Sequence, residues 1–280
     1  PSIEILNLTK NMRVLLKGDI NAGNFSNILL KIGNGIYPEK DGLINLPENL
    51  CTVVTTVPEL IDKVYPNIAR IQHKPIEWLH ERAILSPTNE HAALINDVLL
   101  NSFEGEEMIY KSVDTVIHTE DAVHYPVEFL NTINPAGLPY HSLRLRVGAP
   151  VMLLRNLKPP KLCNGTRLQV RVLHRNIVEG IILTGSAKGE TVFIPRIPLI
   201  PNDLPFEFRR LQFPLKVCFA MTINKSQGQT LALAGVDLRQ PCFSHGQLYV
   251  ACSRVSSPSS LVILAPPSRT TRNVVCKEIL

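Results

Sequence analysis

Nowhere in the 280 residues does Gly-Lys-Ser or Gly-Lys-Thr occur. The G-x-x-x-x-G-K-[ST] loop, which cradles phosphates with backbone N–H groups and a lysine, is therefore missing. Lys17-Gly18 and Lys188-Gly189 stand in the reverse order and lack the flanking glycine. No apolar run ends in an Asp-Glu pair suited to hold Mg²⁺. Nor does any run approach the ~20 apolar residues of a membrane span. A charged n-region followed by an apolar h-region is also lacking, so secretion is not indicated. The six cysteines (Cys51, Cys163, Cys218, Cys242, Cys252 and Cys276) form no C-x-x-C pair. Three of them sit in apolar runs, which predicts buried, reduced thiols rather than metal ligands. The single tryptophan, Trp78, lies beside Leu79 in an amphipathic segment and is expected in the core rather than as a base-stacking platform. Neither Asp114 nor the Glu120-Asp121 pair has an acid–base partner in sequence, so both are expected to be solvated charges. The chain opens on Pro1 rather than Met, which points to a fragment of a longer protein.

What is present is enough for one large domain or two modest ones, at 45% hydrophobic content. The net charge of +5 is unevenly spread. Residues 141–225 hold 14 Lys and Arg against 4 Asp and Glu; the remainder holds 15 against 20. A basic segment in an acidic frame is the footprint of a polyanion partner, the alternative being an ordinary solvated basic face.

In chain order, Ile3–Leu8 alternates as a short strand, and Thr9–Arg13 follows as a loop. Phe25, Ile28, Leu29 and Ile32 have helical spacing, stopped by Gly33. Residues 57–64 predict a second helix with Pro58 in its first turn. Ala83–Ser86 is a buried strand. It leads into a helix with Ala92, Ile95, Leu99 and Phe103 on one face, capped by Thr88 or Asn89. Such a helix start also favours phosphate. Residues 104–142 are less regular. Pro126 opens a short helix through Phe129 and Ile133, and 134–139 is a turn-rich linker. From Leu143 the periodicity becomes strand-like. Val147–Leu154 predicts one strand, and Asn164-Gly165 a hairpin. In the next strand Leu168, Val170 and Val172 face one way and Arg167, Gln169 and Arg171 the other. Strands over 177–183 and 191–194 complete a small barrel with an arginine-bearing face. Residues 195–213 cross back. Leu215–Ala220 restarts the main sheet as one buried strand, 231–236 and 261–264 add two more, and the tail after Pro266 is peripheral.

Two stretches near the end organise the rest. Phe219-Ala-Met-Thr-Ile-Asn-Lys-Ser-Gln-Gly-Gln-Thr-Leu231 sets a polar cluster at the carboxyl end of an apolar run, where open α/β sheets bind ligands. Gly228 permits close backbone approach there. In Ser244-His-Gly-Gln-Leu-Tyr-Val-Ala-Cys-Ser-Arg-Val255, Leu248, Ala251 and Cys252 share a helical face, Tyr249 and Val250 are expected in the core, and Arg254 projects from the end.

On these residues the chain resembles the C-terminal half of the Pif-one/RecD-type DNA helicases of superfamily one, most closely the version carried by Helitron-type rolling-circle transposons. The resemblance covers nearly the whole chain. Thr-Ile-Asn-Lys-Ser-Gln-Gly-Gln resembles motif V, and Tyr-Val-Ala-Cys-Ser-Arg resembles motif VI. The family more often has His where Asn224 stands; its transposon-borne branch has Asn.

The resemblance implies an α/β fold: a RecA-like second motor domain of a P-loop helicase, in parts 1–142 and 209–280, with a small SH3-like β-barrel inserted over 143–208. It implies Arg254 as the arginine finger on the γ-phosphate and Arg13, in Leu-Thr-x-Asn-x-Arg, as a second one. Single-stranded DNA would be touched by Thr88, Asn89, Thr222, Asn224, Lys225, Ser226 and Gln227, of which Ser226 and Gln227 could orient the loop. Gly228 and Gln229 would contact the nucleotide. ATP and Mg²⁺ would be held mainly by a first motor domain upstream of Arg13. The implied partners are that domain, single-stranded DNA and DNA junctions; the implied movement is 5′-to-3′ and the implied compartment the nucleus. With fingers but no cradle, the chain is expected not to hydrolyse ATP alone. The competing expectations are a non-catalytic nucleic-acid-binding module left from a decayed transposon helicase, and a plain β-barrel interaction module.

Overall fold

Helical spacing of Phe25, Leu29 and Ile32 gives α1 (Ile20–Gly33), whose buried face they form. The computed structural model describes residues 20–276 apart from 119, 121 and 122, together with residue 278; the strand expected at Ile3–Leu8, Arg13 and Asp121 lie outside the described residues. Strands β1 (Glu39–Lys40), β2 (Leu43–Asn45) and β3 (Thr52–Val54) follow. Helix α2 (Val57–Val64) begins where the Thr56 hydroxyl accepts from the Glu59 N–H at 3.3 Å, with Pro58 in the first turn. A 3₁₀ turn (Ile68–His73) and α3 (Ile76–His80) lead to β4 (Arg82–Ser86) and α4 (Asn89–Leu100). Then come β5 (Glu107–Lys111), β6 (Val113–Val116), α5 (Val127–Thr132), β7 (Ser142–Arg146) and β8 (Pro150–Leu153). They are followed by β9 (Arg167–Leu173), β10 (Ile177–Ile182), β11 (Thr191–Pro195), β12 (Ile197–Leu199) and β13 (Phe208–Gln212). The last elements are β14 (Leu215–Val217), β15 (Ala220–Thr222), a 3₁₀ turn (Ile223–Ser226), β16 (Leu233–Asp237), α6 (Gln247–Cys252), β17 (Leu261–Leu264) and β18 (Thr270–Arg272).

The described residues divide into two units. The first, from 20–66, 81–93 and 221–276, holds a sheet of order β15-β4-β16-β17-β3. β4, β16, β17 and β3 pair in parallel, so their carboxyl ends share one edge. Such strands are buried on both faces, which explains the unbroken apolar runs Ala83-Ile84-Leu85 and Leu261-Val262-Ile263-Leu264, all nearly inaccessible. Helix α2 lies close over this sheet at Gly235, where a Cβ would stand 2.7 Å from a Val64 methyl. The tail is not peripheral: β18 pairs antiparallel with β2 and buries Thr271.

The second unit, from 67–80 and 94–220, is built on an antiparallel sheet of order β11-β10-β9-β8-β14. Its inner residues, among them Leu153, Val170, Ile182, Ile194 and Leu215, form one apolar cluster. A second cluster joins Leu130, Leu138, Leu199 and Phe208, against which Tyr125 and Phe206 stack 3.9 Å apart.

Several sequence expectations change here. The single strand expected over Val147–Leu154 is interrupted: a turn at Gly148, with φ +93°, separates β7 from β8. Asn164-Gly165 is a turn closed by the Thr166 N–H on the Cys163 carbonyl at 3.0 Å, set within the long link from β8 to β9 rather than joining a two-residue hairpin. Leu215–Ala220 breaks into β14, paired with β8, and the start of β15, which belongs to the other sheet. Residues 104–142 and 195–213 contain β5, β6, β12 and β13, too short and Pro-interrupted to show a period. Trp78 is half-buried beneath the Lys74 ammonium, 5.2 Å from the ring, while Leu79 fills the core.

The alternation in β9 fails at a bulge. Glu179 pairs with Val172 but Gly180 pairs with Val170, leaving Arg171 as the extra residue. The phase then shifts, so Val172 is exposed and Leu173 buried. Of the expected arginine-bearing face, Arg171 is exposed, whereas Arg167 and Gln169 are buried. Arg167 points inward, fully buried, and donates to the Leu79 carbonyl at 3.1 Å and the His80 carbonyl at 3.2 Å, closing the C-terminus of α3.

Asp114 is not a solvated charge. It is buried with Arg210, which grips it at 2.7–3.1 Å through Nε and Nη2. The remaining guanidinium N–H groups reach the carbonyls of Leu130, Ile133 and Pro139. One buried cation thus fastens β6, β13, α5 and the 134–139 linker.

Removing one partner of a buried pair strands the other charge. Arg210→Ala is expected to cost about 3–5 kcal/mol, seen as a lowered urea midpoint; an unchanged midpoint contradicts the joint. Burial also raises the thiols of Cys51, to about 11, and Cys242, to about 12. At pH 8 both are expected to resist iodoacetamide until the chain unfolds, whereas exposed Cys276 labels at once. Equal labelling rates by mass spectrometry would refute this.

Candidate functional site

The motif V stretch is shaped by where its apolar residues go. Met221 and Ile223 are buried, and between and after them Thr222 is half-buried and Asn224 and Lys225 are exposed. The 3₁₀ turn closes on Ser226, whose buried hydroxyl donates to the Ile223 carbonyl at 2.7 Å. Two further bonds tighten the loop: Gln227 N–H to Asn224 carbonyl at 3.3 Å, and Gln229 N–H to Ser226 carbonyl at 3.0 Å. Gly228 takes φ +82°, with nothing within 4 Å of where a Cβ would stand. That conformation favours glycine and leaves its backbone open to a ligand.

Arg254 does not project from the end of α6. It is 8% exposed and folds back. Its Nε donates to the Val250 carbonyl at 2.7 Å, and its Nη2 to the Ser253 hydroxyl at 2.8 Å. Its Nη1 reaches the carbonyls of Ser226 and Gln229, both at 3.2 Å. The Arg254 carbonyl in turn accepts from the Leu231 N–H at 2.9 Å. Ser226, Gln229 and Arg254 are therefore one constellation. Beside it the Gln229 Oε1 is buried without a hydrogen-bond partner among the described residues. Tyr249 and Val250, expected in the core, are half-buried; the Tyr249 ring lies against Gly33.

Thr88 and Asn89 sit apart from that constellation, after the carboxyl end of β4, the strand next to β15. Thr88 is the cap: its hydroxyl accepts from the His91 N–H at 3.5 Å, and its own N–H donates to the Ser86 hydroxyl at 3.4 Å. Asn89 is the first helical residue and exposed. Arg13 lies outside the described residues.

Three further polar residues escaped sequence reasoning. Asn96, buried in α4, donates to the Ala220 carbonyl and accepts from the Ala220 N–H, both at 2.8 Å, fixing the start of β15. Its signal was available: it lies in the apolar stripe of Ala92, Ile95 and Leu99. Gln247 is buried and accepts from the Phe243 N–H at 3.1 Å, holding the chain that enters α6. Asp237, at the end of β16, is wholly buried and gripped by Arg239 at 3.0 and 2.7 Å, with the His91 Nδ1 3.8 Å away. Its pairing holds the Arg239 guanidinium above its ordinary value, through the hydrogen bond to the carboxylate.

The basic segment is less of a face than composition implies. Arg167 and Arg210 are internal, Arg144 and Arg146 both pair with Glu107, and Lys161 pairs with Glu190.

Comparison with known proteins places this geometry. Residues 128–173 match the family described as DNA helicase Pif1, 2B domain. The chain is 36% identical over 131 residues to the ATP-dependent DNA helicase PIF6 of Trypanosoma brucei brucei, covering 44% of this chain and 16% of that protein. It is 29% identical over 157 residues to human ATP-dependent DNA helicase PIF1, covering 53% and 23%. A third relative, Pif1 of Bdellovibrio bacteriovorus, is 30% identical over 182 residues, covering 64% and 38%. The chain thus spans well under half the length of these relatives. Among solved structures, Pif1 helicase from Candida albicans matches with a TM-score of 0.60 at 25% identity, over 94% of this chain and 57% of that one. A Bacteroides Pif1, solved with ADP-AlF3 and single-stranded DNA, shares the fold at a TM-score of 0.57 and 22% identity, over 93% of this chain and 52% of that one. In the 128–173 segment, in sequence over parts of its length and in its mixed α/β fold, this chain is similar to Pif1 helicases.

Proposed function

We propose that this chain is the second motor half of an ATP-dependent DNA helicase that moves 5′-to-3′ on single-stranded DNA and unwinds duplex. The reading includes an SH3-like barrel built on the β11-β10-β9-β8-β14 sheet, and the Helitron-type branch, for which Asn224 speaks. The observation that carries it is the bond set of Arg254. One guanidinium joins the end of the motif VI helix to the backbone of motif V at Ser226 and Gln229. Any charge that draws Arg254 away must loosen or shift the loop bearing Thr222, Asn224 and Lys225.

ATP is the substrate in this reading, with Mg²⁺ and the phosphate cradle supplied by a first motor domain. The residues here fit a partial share of that site. Gly228 offers open backbone, and the Gln229 Oε1 is a buried acceptor still wanting a donor. Phosphoryl transfer to water depends chiefly on positioning and charge stabilisation. Arg254 and Arg13 would supply positive charge, a contribution of ~10³–10⁵ in rate for an arginine finger. Asn224 and Lys225, exposed at the loop, would hold the DNA backbone, and Thr88 and Asn89 would contact it at the end of β4. Without the cradle the chain is inactive by itself.

Fused to an intact nucleotide-holding half, the protein should hydrolyse ATP on addition of single-stranded DNA. Arg13→Ala with Arg254→Ala should lower that turnover by roughly 10³-fold or more; undiminished turnover defeats the proposal. In the chain alone, Arg254→Ala removes two bonds to the loop, each worth about 1–3 kcal/mol as a charged donor. Hydrogen exchange at the Gln229 amide should then quicken by about tenfold or more. An unchanged rate would mean the brace is not holding motif V.

A further inference from the structure

The carboxyl edge of the parallel sheet carries a second feature that the motif residues do not use. Beyond the ends of β16 and β17 lies a pocket of about 440 Å³. Its walls are apolar, with Leu238, Pro241, Leu264 and Pro266 among them, and Arg239 and Arg272 stand at its margin. Its polar lining includes Thr271, only 4% exposed, whose hydroxyl has no hydrogen-bond partner among the described residues. A buried hydroxyl without a partner is destabilising, so a polar atom of a ligand is the natural acceptor or donor for it.

The Thr88–Asn89 start of α4 follows the same carboxyl edge of the parallel sheet, because β4 and β16 pair in parallel. His91, one turn into that helix, stands 3.8 Å from the Asp237 carboxylate, and Asp237 is held by Arg239. β4 and β16 are neighbouring strands, and Arg239, which follows β16, lines the pocket. Asp237 neutralises much of Arg239, so among the described residues of the lining the positive charge without an ion-pair partner is that of exposed Arg272. Apolar walls, one free cationic rim and one buried hydroxyl match a nucleotide unit: a flat base against the prolines and leucines, a phosphodiester at the arginines, and a polar edge at Thr271.

Resting on the DNA-motor reading above, we propose that this pocket is an additional subsite for single-stranded DNA, holding one nucleotide of the strand at the edge that also carries Thr88 and Asn89. Arg272 contacts its phosphate and Thr271 contacts a polar atom of the nucleotide.

The test is fluorescence anisotropy of labelled oligo-dT on the full chain, as a function of salt. Arg272→Ala should weaken binding several-fold and reduce the magnitude of the salt slope by about 0.7, the value for one phosphate contact on a single strand. Thr271→Val should weaken binding while leaving the thermal midpoint unchanged or raised, because it deletes an unpartnered hydroxyl and keeps the shape. Lys225→Ala serves as the reference for the motif V contact. If Lys225→Ala weakens binding while Arg272→Ala and Thr271→Val leave affinity and slope unchanged, the subsite is overturned and the motor reading stands. If the wild-type chain fails to bind oligo-dT at any salt, both fall.

Discussion

One guanidinium holds the candidate site together. Arg254 is tied to its own helix at Val250 and Ser253 and to the motif V loop at Ser226 and Gln229, and the loop is tied back by the Leu231 N–H. Charge-assisted bonds are about twice as strong as neutral ones. A loop of exposed polar residues, with little apolar area of its own, therefore gains a defined shape. The same side chain that the family resemblance marks for a nucleotide's terminal phosphate is already spent on backbone carbonyls. Its two allegiances are what would make the loop responsive rather than merely rigid.

The chain places charge inside repeatedly. Arg167 closes a short helix, Arg210 and Asp114 gather four segments, and Asp237 with Arg239 finishes a strand. Arg167 and the Arg210–Asp114 pair join stretches far apart in sequence, where apolar contact alone would leave register undetermined. Buried ion pairs are weak evidence for stability but can fix which segments meet. This is also why the tally of basic residues in 141–225 overstates the accessible positive surface.

Legibility in the sequence followed the length and period of each element. Helix α2 was readable to its ends from Pro58 and its apolar spacing, and β17 from four consecutive apolar residues. The two stretches 219–231 and 244–255 could be singled out from sequence because each is contiguous. What could not be read depends on distant pairing. The split of β14 from β15 reflects two partner sheets, not any break in the apolar run Leu215–Ala220. The bulge at Arg171 shows only against the register of β10. Asp114 looked solvated because its partner lies 96 positions away, at Arg210. Within the candidate site, the inward turn of Arg254 and the roles of Asn96, Gln247 and Asp237 needed the folded backbone.

The register of the parallel sheet has a consequence for biosynthesis. Ala83 pairs with Ala234 and Ile84 with Gly235, so strand β4 leaves the ribosome long before its neighbour exists. At about 5–20 residues per second, that wait is on the order of ten seconds. Throughout it, an apolar strand with unpaired N–H and C=O groups stands open, while the antiparallel sheet formed largely from later, consecutive segments can already close. Nascent chains paused before residue 233 should therefore be the form most dependent on chaperones, through the bare flank of β4 rather than through any defect in the finished protein.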